Sequence, residues 1–570
     1  MLSSTRDTND TTEATEITEI EKSVSLGVLG ALDGFSGAHM RVRGISLVAV
    51  VIAGLVGVRA QAGQDARSAQ RPPSPGLPRA AVASAEAGQA DRGADRRVVE
   101  AVKAGDKGAL ALLLRQRINV NTPEADGTTA LHWAVREDDP DTADKLIRAG
   151  AAVNATNRYG VTPLALACLN GNPVLIERLL KAGADANAAG PEGETALMTV
   201  ARAGSVDAAR VLLAHGAAVD ARESWHGQTA LMWAAAQRHP PMIRELLAHG
   251  ADVNAHSNLE KWERQTTAEP REKWLPLGSM TPLLFATREG CVECATVLVE
   301  AGADLNAADP DGITPLISAL INGHYDVAGF LIDKGADVTR FDKTGRTPLY
   351  AAVDDHSMPY SNRPSPREFD DDLTSLAIIQ KLVAHGANLD AQLKTAQPYR
   401  TKVDRGNDTM LTTGTTALLR AAKAGDVVVV RLLLEQGADP KLATRTGINA
   451  VMAAAGLGTK EEDGTGRQKT EAQAVDTITL LLQAGVDVNA ADGNGRTALH
   501  GAAQKGFDQV VRFLASNGAA LEVKDRRGFT PLDAAMGKLG NGGFDGNRAD
   551  VHESTAALIR QLLTSSTASR

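Results

Sequence analysis

At 570 residues the chain is several times the usual domain length, which calls for several domains or one long repeat array. Hydrophobic residues make up 43% but aromatics only 3%, so the core is drawn from Ala, Leu and Val, which suits closely packed helices better than a β-sandwich. A net charge of −9 argues against the basic stripe of a nucleic-acid binder, and three cysteines exclude a disulfide framework and a four-ligand zinc set.

Residues 1–39 are rich in Thr, Glu and Ser without helical periodicity, and read as an over-extended start or a disordered tail. From Met40 the sequence MRVRGISLVAVVIAGLVGVRAQAGQ gives two arginines, an apolar run over 45–58, and Ala60-Gln61-Ala62. This is the order of a secretory signal over 40–62, and cleavage after Ala62 makes the mature protein periplasmic or secreted. The run of fourteen residues is short for a membrane span. Retention of 40–62 as an anchor, giving a membrane-tethered scaffold, is the alternative. Residues 63–94, including RPPSPGLPRA, read as a disordered linker.

From residue 95 a rhythm sets in. Thr-Ala/Pro-Leu recurs at Thr129, Thr162, Thr195, Thr229, Thr281, Thr314, Thr347, Thr416, Thr497 and Thr530, with a degenerate copy at Asn449. The base spacing is 33 residues, 34 between Thr195 and Thr229, with three longer interruptions. In residues 160–192, Thr162 fits a helix N-cap and Pro163 its first turn. Gly171 breaks the first helix. PVLIERLLKAG forms an amphipathic second helix stopped at Gly183, and Ala-Asp-Ala-Asn leads into the next turn. Neither helix can bury its apolar face alone, and stacked neighbours solve that.

This pattern resembles the ankyrin repeat family, through Thr129-Ala130-Leu131-His132, Thr162-Pro163-Leu164, Thr497-Ala498-Leu499-His500 and the Gly-Ala-Asp-x-Asn segments at 183–187, 250–254 and 302–306. The resemblance covers residues 95–565 and implies an all-α fold: an α-solenoid of about twelve stacked helix-turn-helix repeats with β-hairpin-like finger loops; together with the 40–62 signal pattern, the expectation is an exported ankyrin repeat protein of bacterial type. Residues 95–126 lack the Thr-x-Leu start and read as an N-terminal cap, and STAALIRQLLTSS as a closing helix. The His after Leu is kept only at His132 and His500, so the bonds it makes are expected to be missing elsewhere.

Extra residues fall at 256–279 and 391–414, where fingers belong, and at 354–372, 456–475 and 537–552, between the helices of a repeat. Lengthening a surface loop costs only about 0.6 kcal/mol per doubling, so composition must separate them. Four of the five tryptophans lie within 225–274. Trp133 and Trp233 occupy apolar slots and are expected in the core. Trp225, beside His226 in a fingertip, and Trp262 and Trp274 in the long finger have no core slot. Tryptophan is enriched at binding hot spots. The resemblance places partners on fingertips and inner helices. The candidate partner-binding residues are therefore Trp225, His226, Trp262, Trp274, Arg158, Tyr159, Arg136, Glu137, Arg202 and Arg288. The implied partner is a protein, with no nucleic acid and no small-molecule substrate.

No catalytic, cofactor or metal constellation stands out. Cys291 and Cys294 form Cys-x-x-Cys, but the register puts Cys294 in an apolar slot, which favours core packing or a passive local disulfide. Cys168 is also core-like. His215, His249 and His385 each precede a helix-ending Gly and read as caps. The rival to a non-catalytic scaffold is an enzyme built by the insertions, with Asp370, Asp371, Asp372, Tyr399 and Arg405 as first candidates.

Overall fold

A computed structural model describes residues 96–260, 277–357, 371–395, 412–457, 469–539 and 551–568. These residues form 24 α-helices in twelve consecutive pairs, from Arg97–Lys103 with Lys107–Arg115 to Pro531–Ala535 with Glu553–Ala568. The only β-pairing among them is isolated bridges in the fingers. The all-α solenoid and its repeat number are as the sequence implies. Repeats are counted from the N-terminal pair, so Thr129 opens the second and Thr530 the twelfth.

Each helix is short, and local chemistry sets its ends. Thr162 is extended (φ −101°, ψ 161°) and its hydroxyl accepts the Ala165 N–H at 3.1 Å, with Pro163 in the first turn. Asn172 caps the second helix of the same repeat through Val174 and Leu175. Gly204 ends the first helix of the fourth repeat at φ +72°, and a Cβ there would meet the His239 ring at 2.8 Å, so both backbone and space require glycine. Helices this short are not stable alone in water. Pro173–Lys181 buries Leu175, Ile176, Leu179 and Leu180, each contributing roughly 1.5–3 kcal/mol. First helices pack on first helices in an unbroken series, and each also packs on its own second helix.

A side chain at the base of the fingers sets the distance between repeats. Asn187 Oδ1 accepts the Ala218 N–H at 2.7 Å and its Nδ2 donates to the Gly216 carbonyl at 3.0 Å, one repeat downstream. Asn121, Asn154, Asn254 and Asn489 make the same pair of bonds. Asp220 and Asp390 are carboxylates and supply just the accepting half, to Asp252 and Asp439. Thr339 instead turns its hydroxyl to Asp337 at 2.6 Å, and the Lys441 side chain holds no acceptor.

The two retained histidines join repeats in a second way. His132 Nδ1 faces the Thr129 N–H (3.2 Å) and hydroxyl (2.8 Å), while Nε2 meets the Val161 carbonyl of the next repeat at 3.0 Å. His500 repeats this with Thr497 and Phe529. Where His is missing, half of the work survives in two repeats: Asp533 takes the Thr530 N–H and hydroxyl, and Met198 sulfur receives the Thr195 N–H. His215, His249 and His385 occupy the C-cap positions. His249 and His385 bond the carbonyl four residues back, whereas His215 reaches Glu177 of the preceding repeat at 2.9 Å.

Both long fingers begin as paired stems. Ser257 N–H donates to the Met280 carbonyl, Glu260 to Leu277 and Ser279 to Asn258. Leu393 and Gly414 pair across the other. Between the helices of the eighth repeat the first helix runs on to His356, and in the tenth the second helix starts at Glu471 and spans 13 residues.

Asn187→Ala removes two bonds between repeats and is expected to lower stability by about 1–3 kcal/mol, read as a lower urea midpoint. Asp220→Asn restores a donor opposite Gly250, which aligns with Gly216, and should raise the midpoint. Burial holds the His132 and His500 imidazoles, and that of His324, below the ordinary range. The unfolded chain then takes up protons more readily than the folded one. The stability these neutral rings contribute is complete above about pH 6.5 and is lost as the pH falls through their folded values. The melting temperature is expected to drop between pH 7 and pH 5, and to drop less in a His132→Asn, His500→Asn variant.

Candidate functional site

The sequence-derived candidates fall into two groups. Arg136, Glu137, Arg202 and Arg288 lie at the ends of first helices and are exposed. Glu289 is partly buried and pairs with Arg288 at 2.9 Å. Arg158, Tyr159, Trp225 and His226 lie in fingertips. Trp262 and Trp274 lie outside the described residues, as do Asp370, Tyr399 and Arg405.

On the first-helix face the cations sit on rings. Arg136 lies 4.9 Å from the Trp133 ring centre, and Lys103 of the preceding repeat lies 4.5 Å from the same ring. Trp133 Nε1–H donates to Glu124 at 2.6 Å, and Glu124 also holds Lys103 at 2.8 Å. Arg202 covers Trp233 of the following repeat at 5.1 Å, and Arg288 covers Phe285 at 5.0 Å. Trp133 and Trp233 are therefore not core residues, as their slots suggested. Both are half-buried, with one face on the core and an arginine on the other. Four residues past the opening Thr, a side chain stands at the edge of the stacked layer, where a large ring overhangs. For Trp133 the arginine three residues later, Arg136, was the available signal, since that spacing brings two side chains together on a helix; Trp233 is followed by Ala236 and takes its arginine from the preceding repeat, which its own helix did not signal.

This face changes along the array. In the eighth and ninth repeats the matching slots hold Asp354, Arg420 and Lys423, all buried. Arg420 Nε meets Asp354 Oδ1 at 2.7 Å, and His356 bridges Ser375 (2.7 Å) and Asp426 (2.9 Å). Asp371 accepts the Tyr325 and Asp326 N–H groups, so its carboxylate caps a helix. The open first-helix face is that of the second to sixth repeats.

The fingers form a second row. Successive tips are joined backbone to backbone: Arg158 N–H to Asp126, Ser224 to Glu192, Lys343 to Asp311 and Arg526 to Asn494. Most tips turn on a short acceptor. Asn157 takes the Tyr159 and Val161 N–H groups, both at 3.0 Å, and Asp309, Asp342, Asp492 and Asp525 act alike. The finger before Thr229 carries the extra residue of the 34-residue spacing. Here the longer Glu223, buried, spans the wider turn and accepts the N–H groups of Trp225 (2.6 Å), His226 (2.9 Å) and Gln228 (2.9 Å). Trp225 is left 65% exposed, stacked on His226 at 4.4 Å, and His226 Nδ1 meets Glu260 of the next stem at 2.9 Å. Tyr159 is 56% exposed with Arg158 bonded to its hydroxyl at 2.7 Å. Phe341, which sequence reasoning passed over, is 49% exposed with Lys394 above its ring. Asp311, although it sits at a fingertip, is buried and pairs with Lys343 at 2.5 Å.

A family model of ankyrin repeats (three copies) matches residues 98–190, 164–257, 267–342, 283–358 and 470–542, and a single ankyrin repeat model matches 413–445. The chain belongs to the ankyrin repeat family. Delta-latroinsectotoxin-Lt1a of Latrodectus tredecimguttatus is 40% identical over 74 residues, 13% of this chain and 6% of that protein. The ankyrin repeat and KH domain-containing protein mask-1 of Caenorhabditis elegans is 34% identical over 131 residues, 23% of this chain and 4% of that one. The chain thus spans a small fraction of these relatives. Palmitoyltransferase AKR1 of Lachancea kluyveri is 31% identical over 117 residues, 20% of this chain and 14% of the relative. Among solved structures, the human ASB11 ankyrin repeat domain aligns over 42% of this chain and 98% of its own, at 25% identity and TM-score 0.35. The family indicates a protein–protein interaction scaffold.

Glu223→Ala leaves three fingertip N–H groups without their acceptor. It is expected to weaken the turn by about 1–3 kcal/mol, seen as faster hydrogen exchange at Trp225, His226 and Gln228 with helix content unchanged.

Proposed function

We propose that the ankyrin array is a non-catalytic scaffold that holds a protein partner on the first-helix face of its second to sixth repeats, with the fingertips Tyr159 and Trp225 at the edge of the contact. The observation that carries this is the set of rings under arginines on this face: Trp133 and Trp233, partly buried, and Phe285, buried at 4% exposure beneath Arg288. Arginine and tryptophan are enriched at binding hot spots. Here both are already ordered by each other, so a partner meets a preformed surface. A photo-crosslinking residue at Arg202 or Trp225 is expected to capture a protein that the same residue at Glu435, on an exposed second-helix surface, does not. Equal capture at all three positions would overturn the reading.

Export is a further part of the proposal. The 40–62 pattern and a disulfide between Cys291 and Cys294 both suit an oxidising compartment. A mature N-terminus at Gly63 is expected from sequencing the purified native protein, and a retained 40–62 segment would make it membrane-tethered instead.

A further inference from the structure

Cys291 and Cys294 are bonded to each other at the start of the second helix of the sixth repeat, Val292–Glu300. The fold does not need cysteine at either place. The slot of Cys291 is held elsewhere by Asp106, Asp139, Asn172 or Asp426, each capping its helix through a side-chain oxygen. The slot of Cys294 is held by Leu175, Met242 or Val429, all buried. A bridge between residues three apart also closes a very short loop, so it removes little entropy from the unfolded chain. As a staple the bridge adds little that these ordinary residues do not supply.

Its chemistry is better matched to exchange. Cys291 Sγ occupies the N-cap position and accepts the Cys294 N–H at 3.1 Å. Free N–H groups and the positive end of a helix favour a thiolate there, which stabilises the reduced pair and makes the bridge easier to open. Both residues are buried, Cys294 completely at 0% exposed and Cys291 at 6%, so Cys291 is the one with an edge toward solvent. The residue before the pair, Gly290, has φ +69° and no side chain, and the His324 ring lies against it. His324 Nε2 is 3.0 Å from the Arg288 carbonyl, so Nε2 carries the proton and Nδ1 is the basic nitrogen on the Gly290 side.

We propose that Cys291 and Cys294 form a reversible thiol–disulfide exchange centre, in which Cys291 meets an external thiol and Cys294 is the buried resolving sulfur. The reductant is a small thiol. Its thiolate attacks Cys291 Sγ, the Cys291–Cys294 bond breaks, and the electron pair leaves on Cys294, which takes a proton from solvent. A second thiolate attacks the outer sulfur of the mixed disulfide and frees Cys291. The balance is one protein disulfide and two thiols giving one protein dithiol and one small disulfide. Running backwards, Cys294 displaces the small thiol from a mixed disulfide on Cys291.

The test uses the full chain in glutathione buffers of graded ratio, quenched with acid, alkylated and read by mass spectrometry. The pair is expected to open and close reversibly while Cys168, buried and with its thiol pushed up to about 12, stays unmodified as an internal sign of folding. Cys294→Ser should accumulate a glutathione adduct on Cys291, and Cys291→Ser should lose the adduct. A wild-type pair that stays oxidised across the series, or opens only when Cys168 also reacts, is a structural bridge and overturns the proposal. Equal adducts on both single-cysteine variants would overturn it too, since no buried resolving sulfur would then exist.

Discussion

The asparagine that closes the base of five fingers, with an aspartate in its place at Asp220 and Asp390, is the interaction on which the rest of the array depends. A short helix cannot keep its conformation in water, so its stability comes from neighbours held at a fixed distance. Side-chain packing between Ala and Leu surfaces is tolerant of sliding, because apolar contact has no direction. A primary amide that accepts from one backbone N–H and donates to one carbonyl of the next repeat is not tolerant, and it converts loose stacking into register. With the register fixed, the opening threonines, the helix-ending glycines and the finger tips of successive repeats all align.

That register was legible, because a 33-residue recurrence of Thr-x-Leu reports it directly. What a recurrence does not report is how far each side chain reaches past the layer it belongs to. Trp133 and Trp233 sit in slots filled in most other repeats by small or apolar residues, and an average over repeats assigns them to the core. Their rings are larger than the slot, so they extend to the edge and meet arginine. Asp311 shows the converse: it stands at a fingertip, yet Lys343 of the next finger closes over it. Both cases have the same source, since a repeat pattern describes one unit and exposure depends on the unit beside it.

The same dependence divides the first-helix face. In the second to sixth repeats its charged groups are at the surface, where ion pairs such as Arg202 with Glu194 are worth little to stability and the arginines remain open to exchange partners. In the eighth and ninth repeats Arg420 and Asp354 are buried together, and a buried pair is costly to break because the charge left behind has no water. One face therefore has two characters: a surface on which a partner can compete for arginine, and a polar core that is already committed. This asymmetry argues for placing recognition in the N-terminal half of the array.

The exposed tryptophan follows from one extra residue. A 33-residue unit turns its finger on an Asp or Asn whose short side chain reaches two backbone N–H groups. Adding a residue widens the turn beyond that reach, and the fingertip N–H groups would be left unpaired, at about 1–3 kcal/mol for each one that is buried. Glu223, one methylene longer, spans the gap and binds three of them. The turn it holds is larger than its neighbours, so the residue at its crest, Trp225, stands clear of the row while His226 beneath it is fixed by Glu260. A flexible finger would fold such a ring against the solenoid to escape water. A finger stiffened from below by a buried carboxylate and from the side by the next stem keeps it exposed.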